Sequence, residues 1–186
     1  MAEHLLEQGI EVVLVGGLAV EIYSENAYLT KDIDMVNSGH QSTAQLSKAM
    51  EGLGFCKKGR IYSNPSTDYV VEFPPAPLSV GDELISEHTR VAVGNKFIPI
   101  LNVGDVVKDR LAAFIHWQDN SSLIQAVAII LKHECSPSKY QAFCEREGDT
   151  GHYRLLRDLY VEARQHPIRS MTDLEPILTA LLIAQL

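Results

Sequence analysis

The chain has 186 residues, enough for one domain with a real core or for a core domain carrying a helical appendage. Its 46% hydrophobic and 22% charged residues are those of an ordinary soluble globule. A net charge of -8 and a pI of about 5.3 argue against long DNA or RNA as a ligand, because non-specific nucleic-acid binding runs on Lys and Arg against phosphates.

Ala2 to Gln8 reads as a short helix ended by Gly9, and Ile10 to Val15 as a buried strand. Gly16-Gly17 follows. Leu18, Ala19, Ile22 and Tyr23 then recur at helical spacing, which predicts a helix to about Ser24. Asp32 to Val36 is the next strand, with a turn at Asn37-Ser38-Gly39. Ser42 to Leu53 is a second amphipathic helix, with Gly52 and Gly54 marking its end.

The middle is strand-rich. Phe55 to Lys58 and Arg60 to Ser63 are short candidates, and Asp68 to Phe73 is stronger. Pro74-Pro75-Ala76-Pro77 stops it, since prolines remove ladder hydrogen bonds. Arg90 to Val93 and Lys96 to Leu101 flank Gly94-Asn95, which reads as a tight hairpin turn with both residues at positive φ.

From Asn102 the pattern turns helical: Asp105 to Trp117, Leu123 to Leu131, Pro137 to Glu147, Tyr153 to Ala163 and Asp173 to Ala184. Leu123 to Leu131 is apolar enough to be buried on more than one side. Ser136-Pro137 and Thr172-Asp173 look like helix starts. The expected organisation is an α/β core over 1–101 and a helical C-terminal region over 102–186, packed on the core. The fold class is α/β (α+β), a mixed twisted sheet with flanking helices.

Cys56, Cys135 and Cys144 lie far apart without a C-x-x-C spacing, so they read as reduced thiols rather than a disulfide framework or a zinc site. MAEHLLEQGI has no basic start and no long apolar core, and no apolar run nears the roughly 20 residues of a membrane span. Leu178 to Leu186 is apolar but too short. The expectation is a cytoplasmic protein with no membrane partner.

The chemistry gathers between Val12 and Val36. Residues i and i+2 of a strand share a face, so Asp32 and Asp34 point one way and Ile33 and Met35 the other. Paired carboxylates repel unless something neutralises them. Mg²⁺ or Mn²⁺ would do so, sharing its shell with substrate phosphates. Gly16 and Gly17, between a strand and a helix, let the backbone approach an anion and offer it N–H groups. Each element alone is commonplace: D-x-D is often a surface turn, and Gly-Gly a plain strand-to-helix link. Their order and helix-length spacer make the combination specific.

Glu72 sits in the apolar run Tyr69-Val70-Val71-Glu72-Phe73. If that strand lies beside Asp32 to Val36, Glu72 can face both aspartates as a third carboxylate. Otherwise it is an edge-strand acid facing water, and Asp68 is the reserve. Lys31, Lys108 and Arg110 are the candidate cations for a triphosphate, with solvated helix charge as the plainer reading of the last two and Asp109 as a simple pairing partner for Arg110. His116 and the lone Trp117 read as structural. No P-loop, G-x-G-x-x-G, G-x-S-x-G or Ser-His-Asp order is present.

Gly16-Gly17, a helix, then Thr30-x-Asp32-x-Asp34 resembles the DNA polymerase β-type nucleotidyltransferase superfamily, in particular its small bacterial members. Val71-Glu72-Phe73-Pro74-Pro75 and Val107-Lys108-Asp109-Arg110-Leu111-Ala112-Ala113-Phe114 resemble a bacterial branch of it, and the likeness spans roughly residues 1–133. One departure is Tyr28, where close relatives often carry an arginine that would add a phosphate or structural contact.

The resemblance implies a nucleotidyltransferase-like fold and transfer of a nucleoside monophosphate from an NTP to a hydroxyl on a small molecule, a protein or an RNA end. Asp32, Asp34 and Glu72 would serve a two-metal mechanism, with Gly16, Gly17, Thr30, Lys31, Lys108 and Arg110 on the nucleotide. Two rivals stand beside this reading. One is a catalytically silent nucleotide-binding module, such as one half of a toxin–antitoxin pair. The other is metal-dependent phosphohydrolysis on the same acids. Neither the base, the acceptor nor the oligomeric state is written in the sequence.

Overall fold

Strand β1 (Val12–Val15) is buried at every position and lies inside a mixed seven-stranded sheet. The computed structural model describes residues 1–184, so Gln185 and Leu186, at the end of the apolar C-terminal run, lie outside the described residues. The chain divides into two compact units: residues 1–19, 29–79 and 83–102, and residues 20–28, 80–82 and 103–186.

The first unit holds the sheet. Its strands are β1, β2 (Asp32–Asn37), β3 (Cys56–Lys58), β4 (Ile61–Ser63), β5 (Val70–Glu72), β8 (Thr89–Val93) and β9 (Lys96–Ile100); the two-residue strands β6 (Ser79–Val80) and β7 (Glu83–Leu84) lie between β5 and β8 in the sequence, outside this sheet. The order across the sheet is β3-β4-β5-β2-β1-β9-β8. β2 runs parallel to β5 and β1 parallel to β9, while the other neighbours are antiparallel. Central strands are covered on both faces and therefore read as apolar runs, as Val12 to Val15 does.

Helix α1 (Ala2–Glu7) packs on β1 and β9, and α3 (Thr43–Glu51) packs on α1 and β3. Gly9, at φ +72, ends the turn after α1. A capping box starts α3: Ser42 Oγ accepts from the Gln45 N–H at 3.3 Å, and Gln45 Oε1 accepts from the Ser42 N–H at 3.0 Å. His4 Nε2 donates to the Ala49 carbonyl at 3.0 Å, tying the two helices together.

The hairpin at Gly94-Asn95 forms as expected, with Val93 opposite Lys96. Only Gly94 has a positive φ, however, at +61. A two-residue loop with the positive dihedral at its first position alone is the II′ type, so Asn95 keeps an ordinary conformation.

Helix α2 (Gly16–Tyr23) begins in the first unit and ends in the second. The second unit is otherwise helical: α4 (Val103–Trp117), α5 (Asn120–Lys132), α6 (Gln141–Glu147), α7 (Thr150–Ala163) and α8 (Glu175–Ile183). α4 packs on α5 and α6, and α7 packs on α5, α6 and α8. Leu123 to Val127, Ile129 and Ile130 of α5 are all buried, which meets the expectation of burial around more than one side.

Two of the expected helix starts are 3-10 turns instead. Pro137 to Tyr140 is a 3-10 turn ahead of α6, with Ser136 Oγ accepting from the Ser138 N–H. Met171 to Asp173 is a second such turn, and its cap is Ser170 rather than Thr172. Asp173 reaches back instead, accepting from the Arg169 and Ser170 N–H groups.

Candidate active site

The junction of β1 and α2 is made by Gly16, whose φ is +63. An L side chain is strained there, because its Cβ meets the following carbonyl. Space demands glycine as well. A Cβ at residue 16 would overlap the Asp34 carboxylate oxygen and lie 3.1 Å from its Cβ and Cγ. The Asp34 carboxyl group therefore lies directly on the glycine backbone. Val15 is the register partner of Asp34 across the antiparallel β1–β2 pair, which explains why the two meet. Gly17 is the second residue of α2.

On the other side of β2 lies β5, with Asp32 opposite Val70, Ile33 opposite Val71 and Asp34 opposite Glu72. Register partners in neighbouring strands share a face, and so do residues i and i+2. Asp32, Asp34 and Glu72 therefore belong to one face of β2 and β5. Val71, fully buried, belongs to the other. Asp32 is exposed, while Asp34 and Glu72 are half-buried. Thr30 Oγ1 accepts from the Asp32 N–H at 3.1 Å, fixing the entry to β2.

Glu72 also has a partner that the sequence reading missed. Ile61 faces it from β4, and the preceding Arg60 places Nε 3.7 Å from Glu72 Oε1. Arg60 is 90% exposed and Glu72 33%, so this is a solvent-screened contact of small energy. Only the pairing of β4 with β5 reveals it, and no local signal in Gly59-Arg60 does. Among the described residues, no three His, Cys, Asp or Glu side chains converge closely enough to hold a metal ion. The backbone positions align three oxygen donors, which is the donor class Mg²⁺ and Mn²⁺ take. The side chains as they stand do not yet gather at a point.

Lys31, the candidate cation of the first unit, donates to Asp68 at 2.7 Å, and both side chains are exposed. The hydrogen bond and then the charge of Asp68 raise the Lys31 pKa, and the same contact lowers that of Asp68. The reserve acid Asp68 is thus engaged at the surface.

Lys108 and Arg110 lie on α4 in the second unit. Lys108 Nζ stands 3.8 Å from Asp105 and 5.8 Å from the centre of the Phe143 ring. Arg110 Nε donates to Asp109 at 3.0 Å and Nη1 to Gln125 at 3.5 Å. His116 Nε2 meets Glu147 at 3.1 Å, in keeping with a structural role, whereas Trp117 is 81% exposed. Cys135 Sγ donates to the His133 carbonyl at 3.6 Å, and all three cysteines are free thiols.

No protein-family model matches the chain, and no curated protein matches it in sequence. Among solved structures it is similar to the solution structure of the antibiotic-resistance factor ANT(2'')-Ia, with a TM-score of 0.49, 13% identity and 88% of each chain covered. A likeness at that identity and score bears no weight on chemistry, which rests on the residues themselves. Among the described residues, no helix is long and apolar enough to cross a membrane.

Proposed function

We propose that the chain is a metal-dependent nucleotidyltransferase that moves a nucleoside monophosphate from an NTP to a hydroxyl acceptor. The register Asp34 opposite Glu72, with Asp32 two residues before Asp34, carries this reading, because it puts three carboxylates on one face of two adjacent strands. The seat of Asp34 on Gly16 supports it, since it sets the metal-type acids against the start of α2. The resemblance of Gly16-Gly17 and Thr30-x-Asp32-x-Asp34 to the polymerase β-type superfamily points the same way.

Asp32, Asp34 and Glu72 would hold Mg²⁺ or Mn²⁺. Bound there, the cation supplies charge neutralisation and alignment for an in-line displacement. The N–H groups at the start of α2, at Gly16 and Gly17, receive phosphate oxygens, where the helix dipole favours negative charge. Thr30 holds the chain entering β2, and Lys31 adds positive charge at its start. Glu72 takes the proton of the acceptor hydroxyl. The hydroxyl oxygen bonds to the α-phosphorus, the α–β anhydride bond breaks, and pyrophosphate leaves. Phosphoryl-type transfer depends mostly on such positioning and neutralisation.

Incubation with α-labelled NTPs, Mg²⁺ and cell extract tests this. Label should move to an acceptor, and Asp32→Ala or Asp34→Ala should each abolish the transfer. Transfer that persists in both variants overturns the site, and released phosphate with no labelled acceptor points to a hydrolase. A non-catalytic nucleotide-binding module is the second reading. It is favoured by Glu72 leaning toward Arg60 and by the absence, among the described residues, of a gathered three-ligand cluster. It predicts nucleotide binding with no transfer to any acceptor.

A further inference from the structure

At the other end of β1, away from Gly16, the first unit has a cavity of about 360 Å³ between α1 and the β8–β9 hairpin. Val12 lines it, while Val15 sits beside Asp34, so the length of β1, about 10 Å at 3.3 Å per residue, separates it from the carboxylate face. The volume suits a small organic molecule.

Leu6, Phe97 and Pro99 give the cavity an apolar wall, and Leu6 and Phe97 are more than half exposed. Such side chains cost free energy in water that a ligand's apolar body would recover. Pro99 is opposite Arg90 in the hairpin register, and Phe97 follows the same face two residues away. The hairpin thus presents an apolar strip with a guanidinium beside it.

Four charged residues line the cavity, together with His88. Lys96 and Glu3 form an ion pair with each other. The Arg90 guanidinium and the Glu11 carboxylate are left, and neither side chain has a hydrogen-bond or ion-pair partner among the described residues. The Glu11 backbone is held in place, its carbonyl accepting from the Ser38 N–H at 3.0 Å and the Ser38 hydroxyl at 3.3 Å. One cation and one anion without partners, beside an apolar wall, match a small zwitterion better than a simple acid or a simple amine. Either of those would satisfy one charge and face the other unpaired.

We infer that this cavity binds an apolar α-amino acid, its carboxylate on Arg90, its ammonium on Glu11 and its side chain against Leu6, Phe97 and Pro99. The site does not depend on the transfer chemistry proposed for β2 and β5.

Calorimetric titration of the full chain with L-leucine and L-phenylalanine tests it, alongside 4-methylpentanoate and 3-methylbutylamine, each of which keeps one of leucine's two charges. Saturable binding of an amino acid, about tenfold or more tighter than either analogue, is expected, because each analogue gives up one charge-assisted hydrogen bond. In Arg90→Met, leucine should bind no better than the amine, and in Glu11→Gln no better than the acid. Both residues are exposed, and circular dichroism would verify that each variant folds. Absence of saturable binding at millimolar amino acid overturns the inference. So does equal affinity for leucine and both analogues, which would leave only an apolar slot. Unchanged leucine affinity in both variants would equally exclude these residues.

Discussion

At residue 16 two independent constraints fall on one Cα. The positive φ disfavours any side chain, and the Asp34 carboxyl fills the space a Cβ would need. Gly16→Ala should therefore cost at least about 1 kcal/mol in urea unfolding, the usual penalty for a left-handed L residue. Moving Asp34 off its seat should also abolish label transfer. Gly17 gives the contrast, since it lies in α2 without a positive φ. Gly17→Ala should lose no stability, since a helical position at ordinary φ gains up to about 1 kcal/mol from this exchange. Equal losses in the two variants would mean that the Gly16–Asp34 contact has no special part in the site. The need for glycine at 16 or 17 was legible in the sequence, because a strand-to-helix turn calls for it. That Asp34 is what occupies the space was not, because the β1–β2 register sets it.

Elements whose signals are local match their sequence patterns closely. Val12 to Val15, Asp32 to Asn37 and the Ser42 cap of α3 are set by apolar runs, alternation and a capping box within a few residues. Elements that depend on distant partners were not legible. The two-residue strands β6 and β7 carry too little pattern to be seen, and Arg60 reaches Glu72 only through the β4–β5 pairing. Helix α5 shows a cap that sequence reasoning passed over, placing its start at Leu123. Asp119 accepts from the Ser121 N–H at 3.0 Å and from the hydroxyls of Ser121 and Ser122 at 2.8 and 2.6 Å. Burial pushes the Asp119 pKa up, but these hydrogen bonds together outweigh it and hold the group below the usual carboxylate range. A lowered folded-state pKa means stability that is present above the ordinary aspartate value, near 3.9, and is lost as the pH falls through the folded value. Asp119→Ala should cost about 1 kcal/mol at neutral pH, the typical loss of an N-cap. The difference from the parent protein should vanish in acid. Urea melts at neutral and acidic pH measure both, and a gap that persists in acid would place the loss in packing rather than in the ionised cap.

For the whole molecule, charge sets the condition for the proposed nucleotide binding. The chain carries a net charge of -8, and an NTP is itself a polyanion. The face formed by β2 and β5 adds three acids where the triphosphate is proposed to sit. Like charges 4 Å apart repel by about 1 kcal/mol in water and about 4 kcal/mol at a protein surface of lower effective dielectric. The α2 N–H groups and Lys31 offset only part of this, and Lys31 is already engaged by Asp68. On the proposed reading, the triphosphate and the carboxylates would share the site only with a divalent cation between them. Binding of a fluorescent ATP analogue should be negligible in EDTA and rise at least about tenfold with Mg²⁺ or Mn²⁺, a change of about 1.4 kcal/mol. In the double variant Asp32→Asn with Asp34→Asn the repulsion is relieved and the oxygen donors are weakened. ATP should then bind with little dependence on the ion. If the parent protein binds ATP equally well in EDTA, the triphosphate lies away from the carboxylate face, and the alignment of Asp32, Asp34 and Glu72 serves something other than nucleotide chemistry.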